Sequence, residues 1–549
     1  MNIAAIIPAA GRGSRMLTLT DNCPKCMIPI SGRPLIAYLL DQLIDHNVKD
    51  VYVIVGYKKE VLIEYINLIY GDKLNITYIE QTELLGLGHA TYLAMKEVVK
   101  HEYDSVFMML SDSIFNDSSV FNFGDTSYLT CIPVKDYSRW CMVGLTNNFI
   151  TKFYDKPVVK PDSNLAIAGV YYFTNVKLLY KSLEDSISSG VTIRGEYQIS
   201  TAIEKYLENE KIIPNVISID DYYDFGELDA YYENKKRFNL SRAFNSVSYD
   251  NDMITKRSSS NYHKIQKEIM WFLTMPKTFY KYIPPLLDYS MRDDDVYYSM
   301  PYCNGSTLQE LWMYSNMPVE KWINILSNIY KIFCEFERAS ASDHLVDTKK
   351  FLKNNFEKRS IKIDELFSDN TSFIINGNKL RALSELKDYF CSSLDSLESY
   401  SSIIHGDMVF SNIIYDLNTS SISLIDPRGD FNGDVIYGDR NYDLAKLAQC
   451  IVGDYDYIVS NLFKLDYNDH QVNYSIYNSR SDEEKYYLVK NICDRFNVKE
   501  SSVLLLTAIQ FLTMIPLHYE NELHQKLMYT KFVELLNKSY EVSLEENNA

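Results

Sequence analysis

Hydrophobic positions in the first 110 residues follow two spacings in turn. The stretch "NIAAIIPAAG" is a continuous apolar run closed by glycine, the pattern of a strand covered on both faces. In "RPLIAYLLDQLIDHN" apolar residues recur three and four apart, which predicts a helix. The alternation goes on through "KDVYVIVG" (strand), "KKEVLIEYINLIYG" (helix), "NITYIEQ" (strand), "GHATYLAMKEVVK" (helix) and "DSVFMMLSD" (strand). This order predicts an α/β fold, a doubly wound and mainly parallel sheet with helices on both faces. Ligands of such sheets bind at the carboxyl ends of the strands. A helix-like "ELDAYYENKKRFNLSRAF" closes the unit, giving a first domain over residues 1–240. Then "FNSVSYD", a polar turn at Asp250 to Asp252 and "MITKRS" predict a hairpin. "YHKIQKEIMWFL" predicts a helix, "VYYSMPYCNG" a strand ending in a turn, and from about residue 306 the pattern is mostly helical. A second domain is therefore expected over 241–549. Glycine and proline are few and no low-complexity linker separates the halves, so abutting domains are expected.

A chain of 549 residues is too long for one ordinary core, which agrees with two domains. A net charge of -18 disfavours nucleic acid and anionic membranes as partners, because both need a basic face. It leaves small anionic substrates open. The N-terminus lacks the basic start of a signal peptide, and no run approaches the roughly 20 apolar residues of a membrane span. A cytoplasmic protein without membrane insertion is expected, and a homo-oligomer is left open. Cys23 and Cys26 form a lone C-x-x-C with no second pair or histidine nearby, so reduced, buried thiols are expected rather than zinc.

Two loops suggest chemistry. "AAGRGSR" follows the first strand. With no side chains at Gly11 and Gly13, consecutive backbone N–H groups can approach a triphosphate, and Arg15 and Lys25 add charge where pyrophosphate would leave. The loop is neither the dinucleotide G-x-G-x-x-G nor a P-loop. In its setting, "AAGRGSRMLTLTDNCPKCMIPISGRPLIAYLL" resembles the signature of sugar-phosphate nucleotidyltransferases, with Thr18 where that family usually has proline. The resemblance runs in order over about residues 1–240. It implies a Rossmann-like nucleotide-binding domain in which Ala10, Gly11 and Gly13 hold the nucleotide and Gln81 and Gly86 of "QTELLGLGHA" read its base. It implies Mg²⁺ on Asp112 of "SDS" and Asp224 of "DFG". It implies Lys156 of "FYDKP" on the sugar phosphate, with Asp155 replacing the usual glutamate, and acceptor contacts at Gly169 and Glu196. Arg15, Lys25 and Lys156 are the expected catalytic cations.

"HGDMVFSNIIY" and the following "LIDPRG" suggest a second phosphoryl-transfer site. Asp407 stands where a base acting on an acceptor hydroxyl is needed, and Asn412 and Asp426 where Mg²⁺ would be held. With "GDRNYDLAKL", these motifs resemble the aminoglycoside phosphotransferase and choline kinase group. Pro427 and Arg428 depart from its usual residues. The resemblance covers about 240–549 and implies a two-lobed, protein-kinase-like α+β domain, with a small lobe at about 241–305 and a large lobe at 306–549. It further implies Lys256 on the ATP phosphates, Glu268 orienting it, and a hinge around Met300 and Tyr302 that binds adenine. His405 is expected to buttress the loop, and Asp439 and Asp443 to cap and anchor it. Tyrosines near 454–457 and 486–487 could cage a quaternary ammonium, although core packing explains them as well.

Taken together, the motifs predict a bifunctional enzyme. A kinase would phosphorylate a small hydroxylated metabolite with ATP. A nucleotidyltransferase would then couple that phosphate to a second nucleotide, UTP or CTP, and release pyrophosphate. The product would be a nucleotide-activated sugar or polyol for capsule or other surface glycan synthesis. Choline kinase joined to CTP:phosphocholine cytidylyltransferase is the alternative. A chain in which one half is an inactive binding or regulatory module is the reading from another class.

Overall fold

The computed structural model describes residues 1–193, 195–241, 247–250, 252–258, 262–340 and 345–548. Residues 242–244 of the closing helix segment and Asn251 of the expected turn lie outside these. The chain divides into two compact units, Met1–Asn239 and Leu240–Ala549.

Among the described residues the first unit is built on a nine-stranded sheet. Ile3–Pro8 lies at its centre, parallel to both Asp50–Val55 and Ser105–Met109, and Asn75–Glu80 extends the parallel part. The crossovers are helices Leu35–Asp45, Lys59–Tyr70 and Leu87–Val98. With neighbours on both edges and helices on both faces, Ala4 to Ile7 are almost wholly buried, which is why that strand reads as a continuous apolar run. Beyond residue 110 the sheet departs from the mainly parallel expectation. Leu165–Phe173 runs antiparallel to Ser105–Met109, to Ser127–Pro133 and to Cys141–Thr146, and the last of these pairs antiparallel with Phe149–Asp155. For this last pair the reason is connection length. Asn147 and Asn148, at φ 49° and 65°, close a hairpin that has no room for a crossover helix.

Two short strands complete the site-bearing edge. Ser113–Phe115 pairs antiparallel with Tyr222–Asp224, placing Asp224 opposite Ser113. Cys23 and Cys26 are buried thiols, and burial pushes Cys23 up to about 12.

The second unit opens with an antiparallel sheet in the order 247–250, 253–258, 295–301, 288–292, against which helix Tyr262–Thr274 packs. A three-stranded sheet of Ser306–Thr307, Ile413–Tyr415 and Ile422–Leu424 follows, with Asn412 and Asp426 just beyond strand ends. The remaining core is helical. All twelve residues of Arg440–Ile451 are buried, packed against Glu500–Met514, which in turn packs on Glu522–Asn548. Glu500–His518 is long and apolar enough to cross a membrane by length and composition, although no such run is expected from the sequence reading. Here it is a core helix, 72% buried.

Candidate active sites

The loop after the first strand turns through Gly13 at φ 68°, where a Cβ would come within 2.8 Å of the Lys25 Cβ. Glycine is needed there both for the left-handed conformation and to let Lys25 lie across the loop. An added Cβ at Gly11 meets nothing within 4 Å, so the space beside it is open. Ala10 is buried, its carbonyl accepts the Tyr57 N–H at 3.1 Å, and Gly56 packs on it without a side chain.

Lys25 Nζ stands 2.5 Å from Asp112 Oδ2. The Phe225 N–H donates to the Asp112 carbonyl at 2.9 Å, which draws Asp224 to the same edge. Burial, and next the Asp112 charge, hold the Asp224 carboxyl above its usual range, against the N–H of Gly226 at 2.8 Å. Two carboxylates whose mutual repulsion is only partly relieved suit a divalent cation. Among the described residues no three of His, Cys, Asp and Glu cluster to cage a metal alone.

The remaining expected residues of this unit fall into four places. Gln81 is buried, its Nε2 3.3 Å from both the Gly86 carbonyl and His89 Nδ1. Gly86, at φ 96°, begins helix Leu87–Val98, and a Cβ there would meet the Glu196 Cβ at 2.8 Å, so the loops that carry Gly86 and Glu196 touch. Gly169, at φ 86°, packs on Leu110, whose N–H it accepts at 2.9 Å, two residues before Asp112. Lys156 is exposed just past Phe149–Asp155, its N–H on the Trp140 carbonyl at 2.9 Å. Arg15 is paired with Glu227 at 2.8 Å.

Sequence reasoning missed Glu227 and Arg139. The hydrogen bond from Arg15 leads in holding the Glu227 carboxyl low, with Arg139 and Lys156 adding to it, and Arg139 also acts on Asp224. Glu227 directly follows "DFG", and that adjacency was its available signal. Nothing local marks Arg139.

In the second unit Lys256 Nζ sits 2.8 Å from Glu268 Oε2 and 2.9 Å from Asp426 Oδ1. Glu268 is fully buried, and Tyr298, unforeseen, donates its hydroxyl to it at 2.9 Å. Burial lowers the affinity of Lys256 for its proton, but Asp426 and Glu268 more than offset this and hold it charged. Asp426 adopts φ 55°, a left-handed conformation that aims its carboxylate at the lysine. Asn412 donates to the Asp407 carbonyl at 2.9 Å and to Asp407 Oδ2 at 3.2 Å. Its own amide oxygen is met by the Ser411 hydroxyl at 3.3 Å.

Asp407 keeps 40% of its side chain exposed, and Lys446 reaches its Oδ1 at 3.2 Å. Burial pushes the Asp407 carboxyl up; Lys446, His405 and Arg428 together bring it below its usual range. Lys446 was also missed. It lies three residues after Asp443 on one helix, and Asp443 accepts the His405 and Gly406 N–H groups at 2.8 and 2.9 Å, so helical spacing could have placed it beside the loop. His405 is buried, Nε2 on the Ile425 carbonyl at 2.9 Å, its ring edge-on to Trp271. Asp439 caps Arg440–Ile451 through the Asn441 N–H at 2.9 Å.

Of the expected hinge, Met300 is buried, and the Tyr302 N–H donates to the Asp252 carbonyl at 2.7 Å, one step beyond the Met253–Pro301 pair of strands 253–258 and 295–301. The tyrosines do not form an open cage. Tyr457 is buried with its hydroxyl on the Trp312 carbonyl at 3.2 Å, and Lys538 already lies over the Tyr486 ring at 5.4 Å.

A family model described as nucleotidyl transferase matches residues 4–239. The chain is 33% identical over 234 residues to UTP–glucose-1-phosphate uridylyltransferase AglF of Haloferax volcanii, covering 40% of this chain and 88% of that one. It is also 33% identical over 210 residues to the bifunctional protein GlmU of Methanococcus maripaludis, 38% of this chain and 48% of that one, so it spans about half of this relative. A solved UDP-glucose pyrophosphorylase complexed with UDP-glucose is 23% identical, with a TM-score of 0.39, and covers 44% of this chain and 100% of that one.

Proposed function

We propose, from the premise that this chain belongs to the nucleotidyl transferase family through residues 4–239, that it joins a sugar 1-phosphate to a nucleoside monophosphate drawn from UTP. We propose further that its second unit phosphorylates a small hydroxylated acceptor with ATP to supply that phosphate. The observation that supports the first reaction best is the convergence of Lys25, Asp112 and Asp224 beside the open Gly11 loop. The relative AglF is named for the uridylyl transfer to glucose 1-phosphate, which favours UTP and a sugar.

In the first unit the backbone N–H groups around Gly11 and Gly13 would cradle the triphosphate, and Gln81 and the Gly86 backbone would meet the base. Lys156 would orient the acceptor phosphate so that its oxygen attacks the α-phosphorus in line as pyrophosphate leaves. Lys25 and Arg15, held in the free chain by Asp112 and Glu227, would turn to the phosphates. Asp112 and Asp224 would hold Mg²⁺, which supplies neutralisation of the developing charge.

In the second unit Lys256, fixed by Glu268 and Asp426, would meet the ATP phosphates, with Asn412 and Asp426 as the Mg²⁺ ligands. Asp407 would take the proton of the acceptor hydroxyl as it attacks the γ-phosphorus and ADP leaves. The observation that favours this reading is the single cluster formed by Lys256, Glu268 and Asp426, from three separate elements.

The test supplies the full chain with ATP, UTP and a set of sugars and polyols, with pyrophosphate and ADP read separately. Pyrophosphate release with a sugar 1-phosphate and UTP alone is expected. Its absence with every sugar phosphate and every common nucleoside triphosphate would refute the first reaction, and absence of ADP release with every acceptor the second.

A further inference from the structure

The side-chain amide of Gln81 is held at one end only. Gln81 directly follows strand Asn75–Glu80, its backbone N–H donates to the Val55 carbonyl at 2.9 Å, and its side chain is buried. Nε2 lies 3.3 Å from the Gly86 carbonyl and 3.3 Å from His89 Nδ1. A carbonyl only accepts, so the NH2 end of the amide must face it. Nδ1 accepts as well when the imidazole is neutral and carries its proton on Nε2. The place of His89 keeps it neutral. It is the third residue of helix Leu87–Val98, and the unpaired N–H groups of a first turn disfavour a cation. Burial leads in lowering its affinity for a proton, Glu83 opposes this, and Lys96 adds to it. The loop packed on this side presents the Tyr197 ring at 6.5 Å and Glu196 beside Gly86.

The other end of the amide is left over. Among the described residues nothing donates to Gln81 Oε1, and that oxygen is not sealed in the core. The Gly86 N–H, at the cap of the helix, likewise donates to nothing among the described residues. One acceptor and one donor are thus unused on two neighbouring residues. Uracil offers their complement. N3–H is its only N–H once N1 carries ribose, and a carbonyl stands on either side of it. Turned end for end, the Gln81 amide would set two donors side by side, and N3–H would meet no acceptor.

We propose that His89 is a positioning residue for base selection: it holds the NH2 end of Gln81 so that the amide oxygen alone meets the base, which the first unit reads through a ring N–H, N3–H in uracil. This rests on the nucleotidyl transfer reading above, with Gln81 and Gly86 at the base. His89 touches no substrate in this role. What the role requires is an acceptor at the Nδ1 position. Asn can bring its amide oxygen there, whereas Phe keeps a ring and offers no acceptor. Imidazole differs from both in that it titrates. A proton on Nδ1 sets N–H against N–H and drives the amide towards the wrong orientation, so base recognition weakens on the acid side.

The test is pyrophosphate release by the full chain with UTP and the sugar 1-phosphate that releases most, with KM and kcat read between about pH 5.5 and pH 8. His89→Phe should raise the KM for UTP about three- to tenfold, as one lost hydrogen bond does, and leave kcat within about twofold, because the base lies away from the reacting phosphorus. His89→Asn should restore the KM at the upper end of the range. As pH falls below about 6, the KM of the unaltered chain should climb above that of His89→Asn; the UTP phosphates titrate alike in both, so only the difference counts. 3-Methyl-UTP, which lacks the N–H, should be used at least about tenfold less efficiently than UTP. The inference falls if His89→Phe leaves KM unchanged, if His89→Asn does not restore it, or if the unaltered chain and His89→Asn keep parallel pH profiles. Should His89→Phe fail to fold, the pH comparison with His89→Asn decides. Gln81→Ala separates the inference from the reading beneath it. An unchanged KM for UTP in that variant, or 3-methyl-UTP used as well as UTP, would remove Gln81 from the base and the inference with it. A raised KM in Gln81→Ala beside an unaltered one in His89→Phe would bring down the inference alone.

Discussion

Replacing Asp112 by Asn tests the first site most directly. The side chain is 28% exposed and nearly the same size as Asn, and its one ion pair is with Lys25. Losing a partly exposed pair costs about 1 kcal/mol of stability at most, so the unit should stay folded. The catalytic cost is of another order. Removing one of two carboxylates beside the triphosphate, and with it a metal ligand, forfeits several kcal/mol of charge neutralisation in the transition state, and roughly 4 kcal/mol corresponds to about a thousandfold in rate. A second readout follows from the neighbouring carboxylate. Burial leads in raising Asp224 and the Asp112 charge is next, so the neutral amide of Asp112→Asn should let the Asp224 carboxyl titrate at lower pH, though still above an exposed aspartate. The assays are pyrophosphate release with sugar 1-phosphate and UTP, and carbon-detected NMR of the Asp224 carboxyl across pH. Release within tenfold of the unaltered chain, or an Asp224 titration that does not move, would refute the assignment. ADP formation by the second unit should be unchanged.

Asp407→Asn should lower ADP formation a hundredfold or more while Mg·ATP binds within about threefold of normal, since Asp407 does not touch Lys256. Asp426→Asn should instead weaken Mg·ATP itself, and equal losses of nucleotide binding would contradict both roles. Gly86→Ala puts a side chain at φ 96° and 2.8 Å from the Glu196 Cβ, which should cost about 1–3 kcal/mol and raise the KM for UTP; an unchanged melting temperature and KM would count against the loop contact. Burial holds the Asp443 carboxyl up to about 7, so the folded chain keeps a proton that the unfolded chain loses near pH 4. Its contribution to stability therefore falls as pH rises from about 4 to about 7, and Asp443→Asn, which lacks this penalty, should gain on the unaltered chain over that window. Melting curves with a constant gap across it would contradict the assignment.

What was legible in the sequence follows from the range of each interaction. Ile3–Pro8, Asp50–Val55 and Ser105–Met109 were visible because burial on both faces writes a continuous apolar run into each strand. The partners of Leu165–Phe173 were not, because period-two patterning marks a strand and not its neighbour. Motif spacing exposed Asp407, Asn412 and Asp426, which lie within one local segment. It left Arg139 and Tyr298 unread, since each meets its partner across a long stretch of chain, and Lys446, whose signal was its helical spacing from Asp443. The bond from the Tyr302 amide to the Asp252 carbonyl, which extends the pairing of strands 253–258 and 295–301, is one that no motif records.

The same pairings show how a chain of net charge -18 can attract nucleotides at all. Its long-range field repels them, so affinity must come from a few cations at short range. In the free chain these cations are occupied: Lys25 by Asp112, Arg15 by Glu227, Lys256 by Glu268 and Asp426, Lys446 by Asp407. A phosphate arriving alone would have to break an ion pair at each. Asp112 and Asp426 are also the proposed metal ligands. A divalent cation that took over those carboxylates would release Lys25 wholly, and Lys256 from one of its two partners, at the moment a phosphate needs them. Both sites would then favour the metal–nucleotide complex over either component for the same electrostatic reason, although their folds and motifs are unrelated.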